Sequence, residues 1–157
     1  MSKEKEMPKK LTISLFTPNH DNKYMMELYE SIKEQDFDEW VIVHNNGGEP
    51  LEIQDARVKQ HIIYKAPEWV GPLKATACAE CTGDILIEMD HDDMLTPDAI
   101  AEVRAAFADP EVGFVYSNTI HMLQTGDAKA KVQRFSSGSH SSSGKCVIQQ
   151  KCQGVDG

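Results

Sequence analysis

Ile85-Leu86-Ile87-Glu88-Met89-Asp90-His91-Asp92-Asp93 is a mostly apolar run that ends in three carboxylates within four positions. A buried strand has this form where it stops at the rim of a sheet. In an open α/β sheet, the C-terminal rim of the strands is where ligands bind. Asp90, Asp92 and Asp93 repel one another when all are ionised. A divalent cation removes that cost, and hard oxygen ligands suit magnesium or manganese. The plainer reading of the same residues is an acidic turn followed by a helix cap.

Outward from this stretch, strands and helices alternate. Leu11 to Phe16 reads as a short strand closed by the turn-like Thr17-Pro18-Asn19-His20. Residues 22–35 switch to helical spacing, with Met25, Leu28, Tyr29 and Ile32 on one stripe. Val41 to Val43 is a second strand before the turn residues His44-Asn45-Asn46-Gly47-Gly48, and His61 to Tyr64 a third. Gly71-Pro72 opens a helix that runs to Thr82 and stops at Gly83. Thr96-Pro97-Asp98 begins another, with Thr96 as N-cap, Ile100, Val103 and Phe107 as its buried stripe, and Asp109-Pro110 at its end. Val112 to Tyr116 is expected as a last strand. This alternation predicts an α/β fold, a mostly parallel open sheet with helices on both faces.

The chain has 157 residues, is 40% hydrophobic and carries a formal net charge of −9. That suffices for one domain with a real core and argues against nucleic-acid binding through the phosphate backbone. The charged N-terminus lacks the apolar segment of a signal peptide, and no run reaches the roughly 18 apolar residues of a transmembrane span, so the cytoplasm is the expected location. Composition divides the chain into a charged extension (1–9), a folded unit (10–126) and a tail (127–157). Residues 128–155 carry five basic side chains and no acidic one, and Phe135 to Gly144 is nearly all Ser and Gly. Such a segment cannot offset its ordering entropy, and the tail is expected to be disordered. Cys78 and Cys81 lie one helical turn apart, where small apolar side chains pack, and Cys146 and Cys152 have poor metal-site spacing.

Together these pieces resemble the nucleotide-sugar-binding half of a family-2 glycosyltransferase of the GT-A fold, over about residues 10–120. Ile13 to His20 looks like the family's first strand and nucleoside-cradling turn. Val41 to Gly47 resembles the second strand, with Asn45 and Asn46 where acidic residues are usual. Lys74 to Gly83 looks like the helix that usually carries Ala-Arg-Asn, with Lys74 at the Arg position. Asp84 to Asp93 is similar to the strand ending in Asp-x-Asp-Asp.

The resemblance implies transfer of a sugar from a nucleoside diphosphate sugar, with a uridine diphosphate sugar favoured, to an unknown acceptor, with inversion. Thr17, Pro18, Asn19 and Asn45 or Asn46 would line the nucleoside pocket. Lys74 would meet a phosphate as a point charge rather than a fork. Asp92 would bind the divalent cation (manganese or magnesium) directly, Asp90 would hold the ribose or a metal-bound water, and Asp93 would organise the turn. The family's general base lies beyond Val112 to Tyr116; Asp127 is not assigned to it, so the chain reads as a donor-binding half truncated before its acceptor half. His20 and His44 are expected as solvated loop residues, and Trp69 as a packing residue. Two alternatives remain: an inactive nucleotide-binding remnant or module, and a haloacid-dehalogenase-type phosphatase with Asp90 as nucleophile. The second expects its motif on the first strand.

Overall fold

The computed structural model describes residues 10–46, 48–63 and 70–117. In chain order they form β1 (Ile13–Asn19), a 3-10 turn (Asn22–Tyr24), α1 (Met25–Ile32), β2 (Glu39–Asn45), β3 (Val58–Ile63), α2 (Val70–Ala79), β4 (Ile85–Glu88) and α3 (Ala99–Ala106). The four strands make one parallel sheet in the order β3-β2-β1-β4. This is the expected α/β architecture.

Strand alternation divides the core. Ile13 and Leu15 of β1, Trp40 and Ile42 of β2, and Ile85 and Ile87 of β4 point to one face, beneath Met25, Leu28 and Ile32 of α1 and Ile100 and Val103 of α3. Phe16, Val41, Val43 and Leu86 point to the other, beneath Leu73 and Ala77 of α2. β1, β2 and β4 are buried on both sides, which is why they read as largely apolar runs, whereas the edge strand β3 stays partly exposed.

Several boundaries differ from the sequence expectation. β1 continues through Thr17-Pro18-Asn19 instead of turning there. Even-numbered residues of β1 bond towards β4, as when the Met89 N–H donates to the Phe16 carbonyl. β4 has ended beside Pro18, so its missing N–H costs no ladder bond. β2 likewise extends over His44 and Asn45, and the chain turns at Asn46, which adopts a φ of 48°.

α2 stops at Ala79, and Gly83 is not its terminator. A Cβ at Gly83 would lie 2.4 Å from Ser14 Oγ and 2.8 Å from Ser14 N, so glycine is there to let two backbones meet. α3 begins at Ala99 with Asp98 as N-cap, not Thr96; the Ala99 N–H donates to the Thr96 carbonyl and closes a turn ahead of the helix. Residues 112–117 form no strand. Gly113 weakens that segment, and Phe114 and Tyr116 stay exposed while Val115 packs on the core. The extension (1–9), the tail (127–157), Tyr64, Trp69, Cys146 and Cys152 lie outside the described residues.

At the N-terminal rim of the sheet, Glu39 is buried and its carboxylate is filled with donors. It accepts from Ser14 Oγ at 2.5 Å, from Thr82 Oγ1 at 2.9 Å, from the Thr82 N–H and from Lys59 Nζ. Burial opposes ionisation, but these bonds win and hold its pKa at about 2. One side chain thereby joins β1, β2, β3 and the segment entering β4.

Candidate functional site

At the opposite, C-terminal rim a cleft of about 360 Å³ opens. Pro18 and His20 come from the end of β1, Asn45 and Asn46 from the end of β2, Val70 and Leu73 from the start of α2, and Asp90, His91 and Asp92 from the turn after β4. From β1 the chain moves to β2 and β3 on one side, then crosses back through α2 to β4 on the other. The cleft therefore stands outside the carboxyl ends of the strands, at the point where strand order reverses, as expected for ligand binding in open α/β sheets.

The same alternation that divides the core assigns side chains to the cleft. Pro18 and Asn45 fall on the α2 face. Thr17 and Asn19 fall on the α1 face, and neither lines the cleft. Trp40 Nε1 donates to Thr17 Oγ1 at 3.0 Å in the buried interior. Asn19 is fully buried; its Nδ2 donates to Asn22 Oδ1 (2.7 Å) and His44 Nδ1 (2.9 Å), and its Oδ1 accepts from the Asp21 N–H. The nucleoside-lining roles expected for Thr17 and Asn19 thus give way to holding the end of β1. His44 is not a solvated loop residue. It is wholly buried, with Nε2 at 2.8 Å from Gln60 Oε1, and burial lowers its pKa.

The acidic turn has an internal order. Asp93 is buried, and its Oδ2 accepts from the Asp90 N–H at 3.0 Å while its own N–H donates to the Asp90 carbonyl at 3.1 Å. Asp93 therefore closes the turn that presents Asp90 and Asp92. Lys74 Nζ lies 2.8 Å from Asp90 Oδ1 and also bonds Glu88 Oε1. Burial alone would lower the Lys74 pKa, but the bonds to Asp90 and Glu88 raise it above its ordinary value. His20 and His91 meet edge to face, with ring centroids 4.2 Å apart. Burial, with His20 acting the same way, lowers the His91 pKa despite Asp92, Asp21 and Asp90 nearby, which favours the neutral ring.

Glu88 escaped sequence reading, although a signal existed. It shares the even register of Leu86, which faces α2, and Lys74 is the charged residue of that helix.

No group of three or more His, Cys, Asp and Glu side chains is gathered as a metal cage among the described residues. Asp90 and Asp92 nevertheless both line the cleft. Magnesium is commonly held this way, by one or two carboxylates with the substrate's phosphates completing its sphere. The donor set fits a cation that binds together with a diphosphate.

The chain matches the family model described as "Glycosyl transferase family 2" over residues 14–155. No curated protein matches it. Among solved structures it is similar to S. aureus TarS 1-349, with a TM-score of 0.57 and 17% sequence identity, over 75% of this chain and 38% of that one. That likeness is one of fold, and this chain spans well under half of TarS 1-349.

Proposed function

The chain belongs to glycosyl transferase family 2, and from that membership we propose that its cleft binds a nucleoside diphosphate sugar and supports metal-dependent, inverting transfer of the sugar to an acceptor. The observation that carries this reading is the side-chain carbonyl of Asn45. It lies at the cleft wall, is buried, and accepts no hydrogen bond from the protein. Leaving such a group unsatisfied costs about 1–3 kcal/mol. A donor on the ligand removes that cost, and the ring N–H of uracil is a donor of the right kind. A uridine diphosphate sugar is therefore the favoured donor.

Pro18, Val70 and Leu73 supply the apolar surface against which a nucleoside packs. Lys74 supplies positive charge for the diphosphate, and Asp90 and Asp92 are the carboxylates for the cation. A manganese or magnesium ion held by Asp92, with Asp90 beside it, would neutralise the charge that grows on the departing diphosphate. Asp93 holds the turn so that these two carboxylates keep their orientation. Inversion also needs a general base for the acceptor nucleophile; we assign that role to no described residue.

A second reading is a module that holds the nucleotide without turnover, since none of the described residues is assigned as a general base. Thermal shift and calorimetry with a panel of nucleoside diphosphates, with and without manganese, separate the cases. Wild type should be stabilised by uridine diphosphate plus manganese, by about 2.7 kcal/mol at a hundredfold excess over Kd, and Asp92→Ala should lose the effect. Binding without consumption of the sugar nucleotide selects the module; no nucleotide effect at all sinks both. The phosphatase alternative is set aside by the family match and by the position of Asp90 after the fourth strand rather than the first. None of the described helices is long and apolar enough to cross a membrane.

A further inference from the structure

Lys74 does not itself line the cleft, but it divides its ammonium between Glu88 and Asp90, and Asp90 does line it. Its ammonium sits between Asp90 and Glu88, and the three side chains are 22%, 19% and 15% exposed respectively. At such depth water screens charge weakly, so each pairing carries more weight than an ion pair on the surface. Asp90 is also one of the two carboxylates that fit a divalent cation. An ammonium and a divalent ion compete for Asp90 Oδ1, because two cations at one oxygen repel each other.

We propose that Lys74 is a displaceable counter-ion: it neutralises Asp90 before the donor binds and is released to the diphosphate when a divalent cation takes its place. The proposal rests on the donor-binding reading above and adds an exchange of charges to it. Three features support it. Lys74 is the fifth residue of α2, so its backbone is fixed while its four-carbon stem can swing. Glu88 sits on β4, in register with Phe16 of β1, and tethers the ammonium near the cleft after it leaves Asp90. The local charge also favours it, because Lys74 is shared between two carboxylates, Glu88 and Asp90.

Lys74→Met and Glu88→Gln test this in the full 157-residue chain. Binding of manganese alone is read by electron paramagnetic resonance, and binding of uridine diphosphate with manganese by calorimetry. Loss of the lysine should tighten manganese alone, on the order of tenfold, yet weaken uridine diphosphate with manganese. Glu88→Gln should do the reverse to manganese alone, weakening it a few-fold, because Lys74 then pairs with Asp90 undivided. Lys74→Arg should retain the wild-type pattern. A purely structural lysine would lower both affinities together, and that result in a Lys74→Met variant with native circular dichroism overturns the proposal. So does unchanged manganese affinity in both variants, or a failure of every form to bind manganese. If no form binds uridine diphosphate while Lys74→Met still tightens manganese, the counter-ion stands and the donor reading falls.

Discussion

The indole N–H of Trp40 is bonded to the hydroxyl of Thr17, 3.0 Å away and sealed beneath α1. That bond withdraws Thr17 from the cleft although its neighbour Pro18 lines it. Thr17→Val keeps the shape and removes the acceptor. It should cost about 1–3 kcal/mol of stability through the stranded indole N–H, measured by urea unfolding. Affinity for uridine diphosphate should be unchanged, and a large loss of affinity would return Thr17 to the site.

Asn45 should behave in the opposite way. Its side-chain carbonyl accepts no bond within the protein, so on the proposed reading its partner is the ligand. Asn45→Ala should lower uridine diphosphate affinity about tenfold or more in calorimetry. The same variant should lose much less affinity for manganese pyrophosphate, which carries no base.

His44 gives the fold a pH dependence of definite sign. Asn19 Nδ2 donates to its Nδ1, so the ring is neutral and its Nε2–H donates to Gln60. Protonation would set two donors against each other. Burial holds the folded pKa below 6.5. The unfolded chain therefore takes up the proton first, and stability falls as pH drops below about 6.5. Glu39 and Asp55, both held at about 2, lose their contributions only further down, as pH falls from about 4.5 towards 2. Urea midpoints between pH 7 and 5 should fall in wild type and fall less in His44→Gln. His91, depressed in the same direction, keeps some slope in the variant.

Two glycines predict contrasting outcomes. Gly83→Ala drives a Cβ against the Ser14 backbone and into the bonds around Glu39, which should cost about 1–3 kcal/mol. Gly71, within α2, meets nothing within 4 Å of an added Cβ. Gly71→Ala should therefore raise stability, by up to about 1 kcal/mol, in the same thermal melt.

How much of this was legible in the sequence differs from residue to residue. The apolar run before Asp90 and the stripe of Met25, Leu28 and Ile32 were readable because burial imposes their periods directly. Asp90 and Asp92 after β4, and Asn45 and Asn46 at the end of β2, were readable as rim residues, and all four line the cleft. Thr17 and Asn19 were misplaced because a turn was expected where β1 continues. Once the strand is known to run on, alternation alone sends Thr17 with Leu15 and Pro18 with Phe16. Glu39 and the close approach at Gly83 depend on which strands become neighbours, information spread over some 70 positions of chain. Val112 to Tyr116 misled because its alternation suits any extended segment lying on a core.

Glu39 and Asn45 stand at opposite ends of one strand, six residues and about 20 Å apart. Variation at His20, Asn46 or His91 therefore leaves the clamp that unites the strands intact. Libraries randomised around that mouth should keep soluble expression while altering what the cleft binds, an evolvability that residues nearer Ser14 do not share.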